Sequence, residues 1–449
     1  MNKQEYISEF ARLMNCGHGR CAVMLEENRE MYREAVLQGC LNDLSFDMQC
    51  EGSRGIFMYR LAIKYDDPEY FLGAVCEKLL DSRVNDDWNM ICHLTDIVFC
   101  FADDGNEAAL DTLEKKYSEL YRLIMSLRYG CKAARICECF EYTAISLMQC
   151  SDFGRLREIM LDIGAYFIRR RRTPDNELRW SFSWFYSSAA ERFGETDIRN
   201  ILIDSPQLKR FFRVMDTAPF VEAVENNAGA VTAEDIANGD ISPRERRRFV
   251  FKASQEEKIR LAEAAVREND LLKKAELLRM FSSKYNPFPS DPQLLTAYAG
   301  SENKELSRAA KDALMYVKSD IVHSYAVDIL RHSDDTDALH MLITNYRKND
   351  LAVITDKLGR LETDRSDASG WHGLMMTILD EADNGSIPDE LLLYIYEKSL
   401  CSCCRSSAVR ILAERRHLTS GQAYECLYDC NEYTRNAARQ YIDNLPENC

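Results

Sequence analysis

The chain has 449 residues, of which 46% are hydrophobic and 29% charged, and its formal net charge is −16. A chain of this length exceeds one ordinary hydrophobic core, so we expect several domains or a repeat array. The negative charge disfavours nucleic acid and anionic membranes as partners, except where local basic patches outweigh it.

The sequence lacks two patterns that would indicate where the protein is located, a membrane-spanning segment and a secretory signal. No stretch approaches 18 consecutive apolar residues, and MNKQEYISEF lacks the basic and apolar regions of a secretory signal. We therefore expect a cytoplasmic protein with no membrane span. In a reducing cytoplasm, the 17 cysteines are expected mostly as buried thiols that pack as small hydrophobic residues.

Residues 1–224 have helical spacing and no convincing alternating strand pattern, so we predict an N-terminal helical region of irregular hairpins. The stretch CGHGRC contains Cys16, His18 and Cys21, whose side chains are typical zinc ligands. No second matching half follows at a set distance. Structural packing is therefore the preferred interpretation, and a metal site is the alternative.

The stretch FDMQCEGSR places Asp47, Glu51 and Arg54 at i, i+4 and i+7. On one helix they would form a polar row, in which Arg54 could bind a carboxylate or a phosphate. If they were buried, the two carboxylates could also act as a general acid and base. The simpler interpretation is a surface row of intrahelical ion pairs, which Gly52 or Gly55 could interrupt.

Two basic clusters stand out from the acidic background, in IRRRRTPDNELRWSFSWFY and in PRERRRFVFK. Guanidinium groups beside exposed aromatic rings suit phosphates and stacked bases. The alternative, which we prefer, is a buried aromatic stripe beside a run of charges that is solvated or paired with acidic residues. The candidate nucleic-acid residues are Arg169, Arg170, Arg171, Arg172, Trp180, Trp184, Arg246 and Arg247, with Arg244 and Arg248 in the second cluster.

Glycine, asparagine and short polar residues cluster in residues 225–243, which we interpret as a linker. Over residues 244–449 we predict a helical repeat array, which is clearest over 289–445. Its first helices are predicted to begin at turn or capping residues, namely Ser290, Ser319, Asn349, Ser386 and Thr419.

The second helices of the array can be superimposed on one another. CRSSAVRIL places an arginine, an alanine and a leucine at intervals of three and four, and TRNAARQYI repeats this with a final isoleucine. The equivalent anchors are 29, 36, 33 and 30 residues apart, at Leu314, Ile343, Leu379, Leu412 and Ile442. A helical hairpin that recurs at this spacing buries its apolar stripe only by stacking on its neighbours, which predicts an all-α solenoid.

These two second helices resemble the arginine–alanine–leucine helix of the HEAT-repeat family, in particular its short-repeat bacterial members. The resemblance covers about residues 289–445 and implies an α-α superhelix of stacked helical hairpins. It also implies that the repeat arginines, Arg405 and Arg435, support a turn or a neighbouring repeat.

A cysteine cluster begins at CSCC, within the array. Four thiolates could bind zinc if the two hairpins that carry them faced each other. The spacing lacks a clean pair of CxxC knuckles, so packing within the repeat is the preferred interpretation. The cysteines are Cys401, Cys403, Cys404, Cys426 and Cys430.

We expect a non-catalytic scaffold whose solenoid surface binds a protein partner, without a cofactor. Its candidate contact residues are Arg405, Arg435 and Arg439. No Gly-rich phosphate loop, GxSxG elbow, HExxH or EF-hand loop is present in the sequence. One alternative is a nucleic-acid-binding HEAT-like protein, with base processing as one form of it, that uses the arginine and tryptophan clusters. Another is a metal or redox protein that uses the cysteines.

Overall fold

The computed structural model describes residues 2–83, 88–126, 131–217, 231–239, 241–363 and 368–444. Every regular element in these ranges is a helix, so the predicted all-α class is confirmed. Within the same ranges, no helix combines the length and the apolarity that crossing a membrane requires.

The chain forms two compact units. The first contains Met1–Val224, Leu400–Cys403 and Thr419–Cys449, and the second contains Glu225–Ser399 and Cys404–Leu418. The C-terminal helices therefore belong with the N-terminal residues, whereas the sequence placed them in the repeat array. The boundaries predicted for the N-terminal region, the linker and the array stay predictions.

The first unit consists of helices that are mostly consecutive in the chain. They are α1 (Lys3–Cys16), α2 (Arg20–Leu41), α3 (Met48–Glu51), α4 (Gly55–Ala62), α5 (Glu69–Asp81), α6 (Trp88–Asp103), α7 (Glu107–Ser126), α8 (Cys131–Gln149), α9 (Phe153–Arg169), α10 (Asp175–Trp180), α11 (Ser183–Phe193), α12 (Glu195–Arg199), α13 (Pro206–Met215), α26 (Ser420–Cys426) and α27 (Glu432–Asp443).

Helix α6 is central to the first unit and packs against α4, α5, α7 and α8. Its residues 91–98 are all buried, because neighbouring helices cover several sides of α6. This run also contains His93, Thr95 and Asp96, and buried polar side chains need hydrogen-bond partners inside the protein. His93 Nε2 lies 3.1 Å from the carbonyl oxygen of Gly39 on α2.

The second unit begins with a helix inside the predicted linker 225–243, of which residues 225–230 and 240 lie outside the described residues. Its helices are α14 (Ala233–Asn238), α15 (Pro243–Lys252), α16 (Gln255–Arg267), α17 (Leu271–Leu278), α18 (Pro292–Ala299), α19 (Lys304–Leu314), α20 (Asp320–Leu330), α21 (Thr336–Thr344), α22 (Leu351–Thr363), α23 (Ala368–Asp383), α24 (Asp389–Lys398) and α25 (Ser402–Glu414, mostly in this unit).

Helices of the second unit pack mainly on their neighbours in sequence. Helix α18 packs on α19 and α20 on α21, and α19, α21 and α23 contact one another in succession.

Two of the predicted helix starts are confirmed, because the side chains of Ser319 and Thr419 cap α20 and α26. The helix predicted to start at Ser290 is capped by Asp291, one residue later. The helix predicted to start at Ser386 is α24, which follows Pro388.

Candidate functional site

Trp180 and Trp184 are exposed on the first unit. Trp180 ends α10 and Trp184 lies in the first turn of α11, and they are 78% and 64% exposed. The preferred sequence interpretation, a buried aromatic stripe, is therefore wrong for both tryptophans. The helix breaks between them at Phe182, which is buried and non-helical, so a spacing of four residues does not place them on one buried face.

The four arginines before the tryptophans differ in burial. Arg169, Arg171 and Arg172 are exposed, whereas Arg170 is only 6% exposed. The guanidinium of Arg170 lies 5.5 Å from the ring centre of Tyr166, so this arginine is part of the packing of α9. We use the name Trp–Arg surface for the exposed side chains of this segment of the sequence, namely Arg169, Arg171, Arg172, Trp180 and Trp184.

The second predicted basic cluster lies in the second unit. Arg246 and Arg247 are exposed on α15, and Phe249 on the same helix is buried. Ser242 and Glu245 form a capping box at the start of this helix. The two basic clusters thus belong to different units.

A cavity of about 280 Å³ lies between α6, α8 and α11 of the first unit. We call it the Asp96 pocket. Trp184 lines this pocket and also belongs to the Trp–Arg surface. The other lining residues on which the chemistry depends are Asp96, Phe99, Tyr142, Ser146 and Gln149.

Asp96 is 9% exposed and is held by two neutral hydroxyl groups. The Tyr142 hydroxyl donates to Oδ1 at 2.7 Å, and the Ser53 hydroxyl donates to Oδ2. Burial raises the pKa of Asp96 to about 6, and the two hydrogen bonds oppose that rise. Among the residues that the structure describes, no cation pairs with this carboxylate.

A second buried carboxylate, Glu141, lies beside Tyr142 in the sequence and supports α11. It accepts a hydrogen bond from the Phe185 amide at 2.9 Å, where the helix begins with unsatisfied N–H groups. Burial raises the pKa of Glu141 to about 7. Glu141 therefore fixes the helix that carries Trp184.

The predicted polar row of Asp47, Glu51 and Arg54 is not one helix face. Asp47 caps α3, Gly52 ends that helix with a positive φ, and Arg54 precedes α4. The simpler surface interpretation is also wrong for two of the three residues. Glu51 and Arg54 form an ion pair of 3.1 Å with side chains only 1% and 2% exposed.

Arg54 joins this ion pair to the C-terminal part of the first unit. Its Nη1 donates to the Cys16 carbonyl and to the Cys430 thiol, each at 2.7 Å. The Cys430 amide in turn donates to the Gly17 carbonyl at 2.9 Å. We define this contact between residues 16–20, 51–54 and 425–430 as the terminal junction.

The CGHGRC stretch belongs to the terminal junction. Cys16 and His18 are 2% exposed and Cys21 is fully buried, and the Cys21 thiol lies 3.6 Å from the Phe10 carbonyl. Within the described residues, these three side chains do not converge as one set of metal ligands. Packing accounts for their burial.

The C-terminal cysteines are also mostly buried. Cys426 is 1% exposed, and Cys401 and Cys404 are 3% and 5% exposed. Within the first unit, the Cys403 thiol donates to the Cys50 carbonyl at 3.4 Å. Their burial accords with the preferred interpretation, in which small sulfur side chains pack in the interior.

The three arginines predicted as partner contacts have different environments. Arg405 is fully buried and donates to the Ser399 carbonyl at 3.2 Å, so it is not a surface residue. Arg435 donates to the Asp429 and Cys430 carbonyls, each at 2.8 Å. Of the three, Arg439 alone is exposed.

Asp96 and Tyr142 were missed in the sequence. The signal available was a lone aspartate within the apolar run WNMICHLTDIVFCF, since a carboxylate there is buried and requires donors. Nothing in the spacing of the two residues, 46 apart, indicates that they meet.

Comparisons with known proteins do not assign this chain to a family. No family model and no curated protein match the chain. One solved structure, described as an engineered protein, aligns over 99% of each chain with 14% sequence identity and a TM-score of 0.27. A score at that level carries no argument about the fold or the function, so the HEAT-like resemblance stays a prediction.

Proposed function

We propose that this chain is a non-catalytic scaffold that binds an acidic segment of a protein partner through the Trp–Arg surface. The observation that carries the proposal is the exposure of Trp180 and Trp184, at 78% and 64%. Large aromatic side chains in water are the usual anchors of protein interfaces. Truncating such an anchor commonly costs about 2 kcal/mol or more of binding free energy.

The charge of the surface selects the partner. Arg169, Arg171 and Arg172 are exposed on a chain whose formal net charge is −16. A local cationic patch on an acidic protein attracts an acidic segment while the rest of the molecule repels it, which gives specificity. Guanidinium groups also bind carboxylates through two parallel hydrogen bonds.

We also propose that the second unit is a HEAT-like array of stacked hairpins that includes α25, with a related helix, α27, in the first unit. Its support is local: Arg405 and Arg435 each donate to a carbonyl six residues earlier, at Ser399 and Asp429. Two helices superimposed by sequence thus use their arginine in the same way. This bond stabilises the turn before the second helix, as the family resemblance implies.

An affinity pull-down from nuclease-treated extract tests the scaffold function. We expect the Trp180→Ala/Trp184→Ala variant to lose a partner that the wild-type chain retains in stoichiometric amount. The matched control is Tyr433→Ala, which removes another aromatic ring that is 78% exposed on the first unit. Equal capture by the wild-type chain and the double variant would contradict the proposal.

Nucleic acid is the second candidate, because exposed tryptophans beside exposed arginines also suit stacked bases and phosphates. A titration with a labelled single-stranded oligonucleotide distinguishes the two. Nucleic-acid binding predicts an affinity that falls steeply between 50 and 200 mM salt, by roughly 10³-fold or more for six or more phosphate contacts. The scaffold proposal predicts no saturable binding in either buffer.

A further inference from the structure

We propose that the Asp96 pocket binds a small organic cation with an ammonium head group. This site is distinct in function from the Trp–Arg surface, although Trp184 contributes to both. The inference depends on the geometry of the cavity and on the charge and aromatic character of its lining.

The carboxylate of Asp96 supplies the charge that the ligand complements. Its two donors, the hydroxyls of Tyr142 and Ser53, are neutral, so they orient the carboxylate without balancing its charge. A buried carboxylate is costly unless a cation pairs with it. Because Asp96 lines the cavity, an ammonium group inside the cavity can supply that missing charge.

Three aromatic residues line the same cavity. Phe99 and Tyr142 are half-buried, and Trp184 is exposed at 64%. The face of an aromatic ring attracts a cation within about 6 Å of its centre, most strongly for tryptophan. A carboxylate together with aromatic rings favours an alkylammonium over a neutral ligand of the same shape.

The size and the polar lining limit the ligand further. A cavity of about 280 Å³ is at the lower end of ligand pockets, so the ligand is small. The Gln149 amide oxygen already accepts from Arg192 at 3.1 Å. The same guanidinium donates to the Ser151 carbonyl at 3.1 Å. These two bonds hold Arg192 at Gln149 and Ser151, so Arg192 does not pair with Asp96.

The test is a titration of the full chain with choline and n-butylammonium, followed by tryptophan fluorescence and calorimetry. The neutral isostere of choline, 3,3-dimethylbutan-1-ol, is titrated in parallel. We expect saturable binding of the cations and at least tenfold weaker binding of the neutral alcohol. Equal binding of choline and the alcohol, or no saturable binding of either cation, would overturn the proposal.

Two variants locate the site, and two matched controls exclude general effects. Asp96→Asn is expected to weaken cation binding at least tenfold and Trp184→Ala several-fold. Asp162→Asn, which changes another carboxylate that accepts from a tyrosine hydroxyl (Tyr117, 2.7 Å), leaves the affinity unchanged. If Asp96→Asn does not fold, the exposed Trp184 still tests the site, and unchanged binding by Trp184→Ala would contradict it.

The second control, Trp180→Ala, separates this proposal from the scaffold function. Trp180 is exposed but is not among the residues that line the pocket. Its loss is expected to weaken partner capture and to leave choline binding unchanged.

A further titration with Nα-acetyl-lysine methylamide distinguishes the source of the ammonium group. Tighter binding than n-butylammonium identifies a lysine side chain, and weaker binding identifies a free amine.

Discussion

Arg54 is a cation held inside the first unit by several acceptors at once. It pairs with Glu51 at 3.1 Å and donates to Cys16 and Cys430 at 2.7 Å. A buried ion pair of this kind adds little stability relative to an apolar pair of similar volume. Removing one partner, however, leaves the other charge without compensation.

Arg54→Met is therefore expected to lower the free energy of unfolding by about 3–5 kcal/mol. The double variant Arg54→Met/Glu51→Gln is expected to recover much of that loss, because no charge then remains buried. Urea denaturation measures both variants. Arg260→Ala is the control, since Arg260 and Glu256 form an ion pair with side chains 61% and 75% exposed. We expect this control to lower the free energy of unfolding by about 1 kcal/mol or less.

The two buried carboxyls near Trp184 give the stability a dependence on pH. Burial raises the pKa of Asp96 to about 6 and that of Glu141 to about 7. In the unfolded chain both carboxyls lose their protons near pH 4. Between about pH 4 and 7 the folded state therefore binds more protons, so their contribution to stability falls as the pH rises.

The Asp96→Asn/Glu141→Gln variant is expected to lose most of that decrease. Urea midpoints at pH 5 and pH 7.5 measure the slope in the wild-type chain and in the variant. Glu256→Gln, at a side chain 75% exposed, is the control and is expected to keep the wild-type slope. An identical slope in the double variant would show that neither carboxyl titrates as described.

The hairpin of α26 and α27 is positioned by two glycines of the terminal junction. A Cβ on Gly19 would lie 1.9 Å from the Glu425 carbonyl oxygen and 2.7 Å from the Asp429 nitrogen. Gly17 adopts a φ of +69°, which ends α1 and brings its carbonyl to the Cys430 amide. Only glycine permits this close approach of two backbone segments.

Gly19→Ala is therefore expected to displace the hairpin and to increase amide hydrogen exchange in α26. Gly73→Ala is the matched control, because a Cβ at Gly73 meets no atom within 4 Å. In the interior of α5 that change is expected to be neutral or to stabilise by up to about 1 kcal/mol. Unchanged exchange in α26 of Gly19→Ala would refute the role of this glycine.

Local signals in the sequence predicted the helices well but predicted the sites poorly. The capping residues Ser319 and Thr419 and the helical period are short-range features, so they are readable without the fold. The burial predicted for Trp180 and Trp184 is wrong because their spacing alone does not reveal the break in the helix at Phe182. The partners of Arg54 were not predictable, because Cys430 lies 376 residues away and no local pattern couples them.

The two units differ in how their contacts are distributed along the chain. In the second unit, α18 packs on α19 and α20 on α21, so neighbours in sequence are neighbours in space. In the first unit, the terminal junction joins residues near position 17 to residues near position 430. Contacts between distant residues carry a loop-closure cost that slows folding.

The terminal junction also sets an order of events during synthesis on the ribosome. Thr419 caps the α26 that completes the junction, and it is made 365 residues after Arg54. At 5–20 residues per second, that interval is on the order of 20–70 s. Throughout it, Arg54 lacks Cys430, to which its guanidinium donates in the complete unit. The first unit is thus the earlier of the two to begin emerging and the later to be finished.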